Sequence, residues 1–236
     1  MEVLVSCLSL QTSDDSSSST NNTQLLTKAC QLLATLCRYD DFRNPSTTTS
    51  GAMGAINVNT SSAHNHTMEF PRTGAATLLI KIARSVLSKL ETSSLVDDER
   101  NLNSLVVANE HLSTAVLTAL RVLAINDEII QTMIALGLLL IVTQALQLGV
   151  TVAESKNGVN TRKQWLSVAS LGLLRNLCGN GKIKTNLCIG SNKDQYSTSL
   201  LSTPSMHPHL LQSMQIFPST ILIQQHACRT LTAMAL

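Results

Sequence analysis

Apolar residues recur every three or four positions in several separate stretches of this chain, and polar tracts divide those stretches. From His111 the spacing of Ala115, Leu117, Leu120, Val122 and Leu123 predicts a helix that runs to Asn126-Asp127. Short polar side chains at that point accept bonds from the free N–H groups of a following helix, so the chain is expected to turn a corner there. A second helix, Glu128 to Leu136, is expected to break at Gly137. A third, Leu138 to Leu148, is expected to end at Gly149 in a left-handed cap. The same grammar returns in Gln24 to Arg38, with Leu25, Leu26, Ala29, Leu32, Leu33 and Leu36, closing at Tyr39-Asp40-Asp41-Phe42. Gly74 to Leu90 is amphipathic, with Leu78, Leu79, Ile82, Val86, Leu87 and Leu90 on one side and Lys81, Arg84 and Lys89 off it. Arg162 to Cys178, His209 to Phe217 and Ser219 to Leu236 complete the main helices, with shorter ones expected over residues 1 to 10 and 182 to 189.

Between these runs lie tracts with little to bury, near 11–23, 44–62, 91–110, 150–161 and 190–208, rich in Ser, Thr, Asn and other polar residues. They read as loops inserted in an ordered array. Superposing the strongest helices places Leu120-Arg121-Val122-Leu123 over Leu174-Arg175-Asn176-Leu177, with Asn126 over Asn180 and Ile129 over Ile183. The N-terminal helix joins with Leu33 and Leu36, and the C-terminal helix with Leu231 and Met234. Four copies of a long helix, most followed by a corner and shorter helices, describe an all-α solenoid of helical pairs or triplets. Residues 1–236 are expected to be one such array, and an incomplete one, because the last helix lacks a polar capping partner.

Composition narrows this picture. Hydrophobic residues are 44% of the chain and aromatics 3%, so the core must be aliphatic, which suits packed helices. The formal net charge is +2 with no run of Lys or Arg, so no nucleic-acid partner is expected. Six cysteines without a C-x-x-C pair read as reduced core thiols of a cytoplasmic or nuclear protein. The start, MEVLVSCLSL, has no basic segment before its apolar residues and reads as helix rather than as a secretory signal. Ile129 to Leu148 is twenty residues without a formal charge, long enough to span a bilayer. Gln131, Gly137 and Gln144 within it, and the absence of flanking Lys or Arg, favour two buried repeat helices, and no membrane association is expected.

Leu174-Arg175-Asn176-Leu177 resembles the third-helix core of armadillo repeats in importin-alpha and catenin proteins. Tyr39-Asp40-Asp41-Phe42-Arg43, Ala63-His64-Asn65-His66 and the Asn126-Asp127 and Asn180-Gly181 corners also resemble armadillo repeat-containing proteins. The unit spacings exceed the roughly 40 to 47 residues of armadillo or HEAT units, and the excess falls in the polar tracts. The resemblance implies a right-handed superhelix of armadillo or HEAT-like units whose third helices line a concave groove for a protein or extended peptide. In groove-binding relatives an Asn on that helix holds the peptide backbone. Asn176 matches it, while Thr35, Val122 and Ala233 stand at the equivalent positions and Gly172 stands where those relatives carry a Trp. Peptide capture in the importin manner is therefore not expected.

Arg121 and Arg175 share a repeat position and are candidates for a basic ladder toward an acidic partner, against the plainer reading of a solvated face or an ion pair. Trp165 is a candidate anchor, against burial at a helix packing edge. His64 and His66, with His111, His207 and His209, lack a third ligand at short fixed spacing, so helix capping is preferred to a metal site. Gly179-Asn180-Gly181-Lys182 lacks the strand and spacing of a phosphate loop, and no nucleophile or metalloprotease motif is present. The expectation is a non-enzymatic scaffold without cofactor, metal or small-molecule substrate, binding a protein through Arg121, Arg175, Asn176 and Trp165. A structural helical segment of a larger assembly is the alternative, and a membrane-anchored helical protein the less favoured third.

Overall fold

In a computed structural model, residues 20–43, 74–93, 102–124, 127–151, 161–179 and 206–235 are described, and they form eight helices and no strand. These are α1 (Thr20–Arg43), α2 (Ala75–Ser93), α3 (Leu102–Leu123), α4 (Asp127–Ala135), α5 (Leu138–Thr151), α6 (Thr161–Cys178), α7 (His207–Ile216) and α8 (Ile221–Ala235). The protein is all-helical over these residues. The expected helices over 1–10 and 182–189, the 44–62 tract and the Ala63-His64-Asn65-His66 stretch lie outside them.

Several boundaries differ from the sequence expectation, each for a local reason. α1 begins at Thr20, inside the tract read as loop. Thr23 is buried there, and its carbonyl accepts a 2.8 Å bond from the Thr27 hydroxyl, so polar residues serve as helix once their hydroxyls bond backward. At its other end α1 runs through the expected corner to Arg43. α3 starts at Leu102, not near His111, so much of the 91–110 tract is helix, with Asn109 and Glu110 buried. α7 starts at His207, and Pro208 sits in its first turn, where the missing N–H of proline costs nothing. Gly137 does break the chain, at φ 90°, between α4 and α5. Gly149 does not: it lies inside α5, buried, with Ser167 of α6 against the place a Cβ would occupy.

The helices pack in two series. In one, α1 lies on α3, α3 on α6 and α6 on α8; in the other, α2 lies on α5 and α5 on α7. The contacts α2 to α3, α5 to α6 and α7 to α8 join the series, and α4 closes against α5 and α2. Their shared core is aliphatic, with Leu79 and Leu87 of α2, Leu117 and Leu120 of α3, Val142 of α5 and Leu174 of α6 wholly or almost wholly buried. Each such side chain stabilises the fold by roughly 1.5–3 kcal/mol relative to exposure. Among the described residues no single helix is long and apolar enough to cross a membrane. The uncharged stretch around Gly137 is split into α4 and α5, bent by 76°.

Candidate functional site

The sequence candidates fall on two consecutive helices of the first series. Arg121 and Arg175 occupy the last turns of α3 and α6, where the negative end of the helix dipole favours a cation. That position alone gives both arginines a structural use. The two helices meet so that the Arg121 side chain crosses α6 at Gly172. A Cβ on Gly172 would lie 2.6 Å from Arg121 Nη1 and 3.0 Å from its Cζ, so the missing side chain is what lets the guanidinium lie against the α6 backbone. One turn later on α6, Asn176 donates from Nδ2 to the Arg121 carbonyl at 3.0 Å. That carbonyl is among the last four of α3, which have no acceptor role within their own helix, and Asn176 satisfies it from outside. The Asn176 amide is thus engaged between helices, although half-buried and near the surface.

Trp165 lies apart from this group, near the first turn of α6, and is 54% exposed, so it is not buried at a packing edge. Two residues before it, burial lowers the pKa of Lys163, an effect that Glu110 of α3 partly opposes. The structure brings Arg121, Arg175 and Asn176 together and leaves Trp165 at the other end of α6.

A residue the sequence reading passed over joins the arginines. His226 of α8 is 6% exposed, its Nδ1 has no hydrogen-bond partner, and its pKa falls from 6.5 to about 4. Burial is the first cause, and the positive charges of Arg121, Arg175 and Arg229 add to it. A signal for it exists in the repeat alignment. With Thr35, Val122, Asn176 and Ala233 superposed, His226 falls where the second and third copies hold Ala115 and Ala169, both buried, and the first holds exposed Lys28. An imidazole where the two preceding copies bury an alanine marks a departure from simple packing.

Of the cysteines described, Cys30 and Cys178 are buried thiols outside any disulfide, and burial pushes the pKa of Cys30 up to about 12. Cys228 corrects the expectation of core thiols, because α8 turns it to the surface. Among the described residues, no three His, Cys, Asp or Glu side chains gather in a way that would hold a metal ion. His111 is exposed on α3 and His207 and His209 sit in the first turn of α7, while His64 and His66 lie outside the described residues.

No protein-family model, no curated protein and no solved structure matches this chain. Over the described residues the class of the protein is all-helical, with Arg121 and Arg175 in the last turns of the packed helices α3 and α6.

Proposed function

We propose that this chain is an armadillo or HEAT-like α-solenoid acting as a non-enzymatic scaffold, with α1, α3, α6 and α8 as successive groove-lining helices. The observation that carries this reading is the order of packing. α3, α6 and α8 each touch a neighbouring copy in their own series and a partner in the other, which is how stacked units bury faces that a single unit leaves open. The superhelix in this reading is right-handed, as in the proteins it resembles.

In this reading Arg121, Arg175 and Asn176 face a protein or extended peptide, with exposed Trp165 as an apolar anchor farther along α6. The compartment is cytoplasmic or nuclear, and the protein works without cofactor or substrate. The test is affinity capture with partner identification, comparing the wild-type chain with an Arg121→Glu/Arg175→Glu variant. A defined partner lost from the variant alone is the expected result. If all partners are retained equally by both chains, the groove assignment is wrong. A chain that captures nothing in either form points instead to a structural segment of a larger assembly.

A further inference from the structure

Three large apolar side chains share one exposed side of α1. Leu25, Leu32 and Leu36 are 57%, 49% and 36% exposed, and with partly buried Ala29 they recur at the spacing that aligns residues along one stripe of a helix. The superposition of the four long helices sets that stripe apart. Leu25 falls on Leu112, Leu166 and Ile223, and Leu36 falls on Leu123, Leu177 and Met234, all of them buried. The positions matching Leu32, held by Ala119, Leu173 and Thr230, are each 0% exposed. The same face of the repeated helix is therefore covered in α3, α6 and α8 and open in α1.

Packing order points to the occupant. α3 lies on α2, α6 on α5 and α8 on α7, so each of these long helices packs against the helix that comes just before it in the chain. α8 still buries the stripe although its substantial packing is on α6 and α7 alone, so the stripe is not the side that a following copy covers. Among the described helices the substantial packing of α1 is on α3, the copy that follows it. Before α1 stands the segment of residues 1–10, MEVLVSCLSL, in which Val3, Leu4, Cys7 and Leu8 recur at helical spacing. Residues 11–19 join it to α1, a tract as long as residues 152–160 between α5 and α6. Its ten residues equal the length of α7. Residues 1–10 thus stand to α1 in the chain as α7 stands to α8.

We infer that residues 1–10 dock as a short helix on the Leu25, Leu32 and Leu36 face of α1, filling the place that α2, α5 and α7 fill on the later long helices. The driving force is removal of those leucines, and of Val3, Leu4 and Leu8, from water. A helix this short is marginal on its own, so order in the segment requires the face of α1. The inference rests on the packing order that also supports the scaffold reading, and not on the groove assigned to Arg121, Arg175 and Asn176.

Hydrogen exchange of the full chain, read by mass spectrometry, tests the docking. Amides within residues 3–10 are expected to exchange at least about ten-fold more slowly than in a synthetic peptide of residues 1–12. A Leu25→Gln/Leu36→Gln variant changes two side chains outside the buried core and is expected to abolish that protection while α3 and α6 exchange as before. A Leu4→Gln/Leu8→Gln variant is expected to abolish it from the other side and to quicken exchange in α1. Wild-type exchange at the peptide's rate, or protection that survives either variant, overturns the docking. Sedimentation of the wild-type chain and the Leu25→Gln/Leu36→Gln variant gives the second check. Monomers in both support an occupant from the same chain, whereas a dimer that the variant dissolves assigns the face to a second copy and overturns the inference. The capture comparison with the charge-reversed arginines reads the groove separately, so either assignment can fail without the other.

Discussion

At the scale of single residues, the most informative position is a glycine that needs no unusual backbone angle. Gly172 is helical and buried, and its role is to leave room for the Arg121 guanidinium. An alanine there meets the mobile end of that side chain, which swings away at little cost. The helix meanwhile gains about 0.5–1 kcal/mol of propensity. Gly172→Ala is therefore expected to keep or slightly raise the thermal midpoint. It should also move the His226 midpoint upward from about 4, because one of the charges holding it down retreats. Histidine ring titration by NMR reads this directly; an unchanged midpoint would show that Arg121 has not moved. Cys30 illustrates the opposite case, a thiol whose burial holds it protonated and inert, its pKa pushed up to about 12.

At the scale of elements, the recurring problem is the carbonyl groups that a helix leaves unsatisfied at its C-terminal end. Among the described residues it is solved three times with a side chain from another helix or from the next one. Asn176 of α6 bonds the Arg121 carbonyl of α3, Arg84 of α2 reaches the Leu136 carbonyl at the end of α4, and Gln224 of α8 bonds both Met214 and Phe217 at the end of α7. The two glycines expected to stop helices divide accordingly. Gly137 takes the left-handed angle and the chain turns. Gly149 stays in the helix because α5 packs so closely on Ser167 that any larger residue collides.

Ser167 is itself an oddity, fully buried with its hydroxyl unpartnered, whereas Ser170 on the same helix bonds back to Leu166 at 2.8 Å. Gly149→Ala is expected to destabilise the protein by roughly 1–3 kcal/mol, the usual cost of overpacking. Ser167→Ala removes an unsatisfied polar atom and is expected to be neutral or stabilising. The double variant should recover most of the loss, since the collision is with the Ser167 hydroxyl. Chemical denaturation of the three variants as a double-mutant cycle measures this, and strict additivity would refute the close contact.

At the scale of the whole molecule, pH couples to stability through His226. Its folded pKa of about 4 lies below the ordinary 6.5, so the unfolded chain takes up a proton first as pH falls. Stability is therefore complete above pH 6.5 and is lost progressively down to about pH 4. The separation of the two values sets an upper limit of roughly 3 kcal/mol, reduced by solvent screening near the arginines. Thermal midpoints measured from pH 7 to 4 are expected to fall through this window in the wild-type chain and to fall less in a His226→Phe variant.

Period and composition were enough to read the all-helical class from this chain, together with the long helices that became α2 and α6 and the break at Gly137. Those features rest on residues three and four apart, which meet on one helix face whatever lies beyond it. The polar tract before His111 misled because α3 contributes buried polar residues there, Asn109 and Glu110, that composition alone assigns to solvent. Arg121, Arg175 and Asn176 stood out as repeated positions, but their relation did not. That Arg121 crosses to Gly172, that Asn176 serves the end of α3, and that the charges of Arg121 and Arg175 act on buried His226 all join helices distant in sequence. Local pattern determines which face of a helix is apolar. Which polar groups are left to meet, and with what charge, was decided only when α3, α6 and α8 packed together.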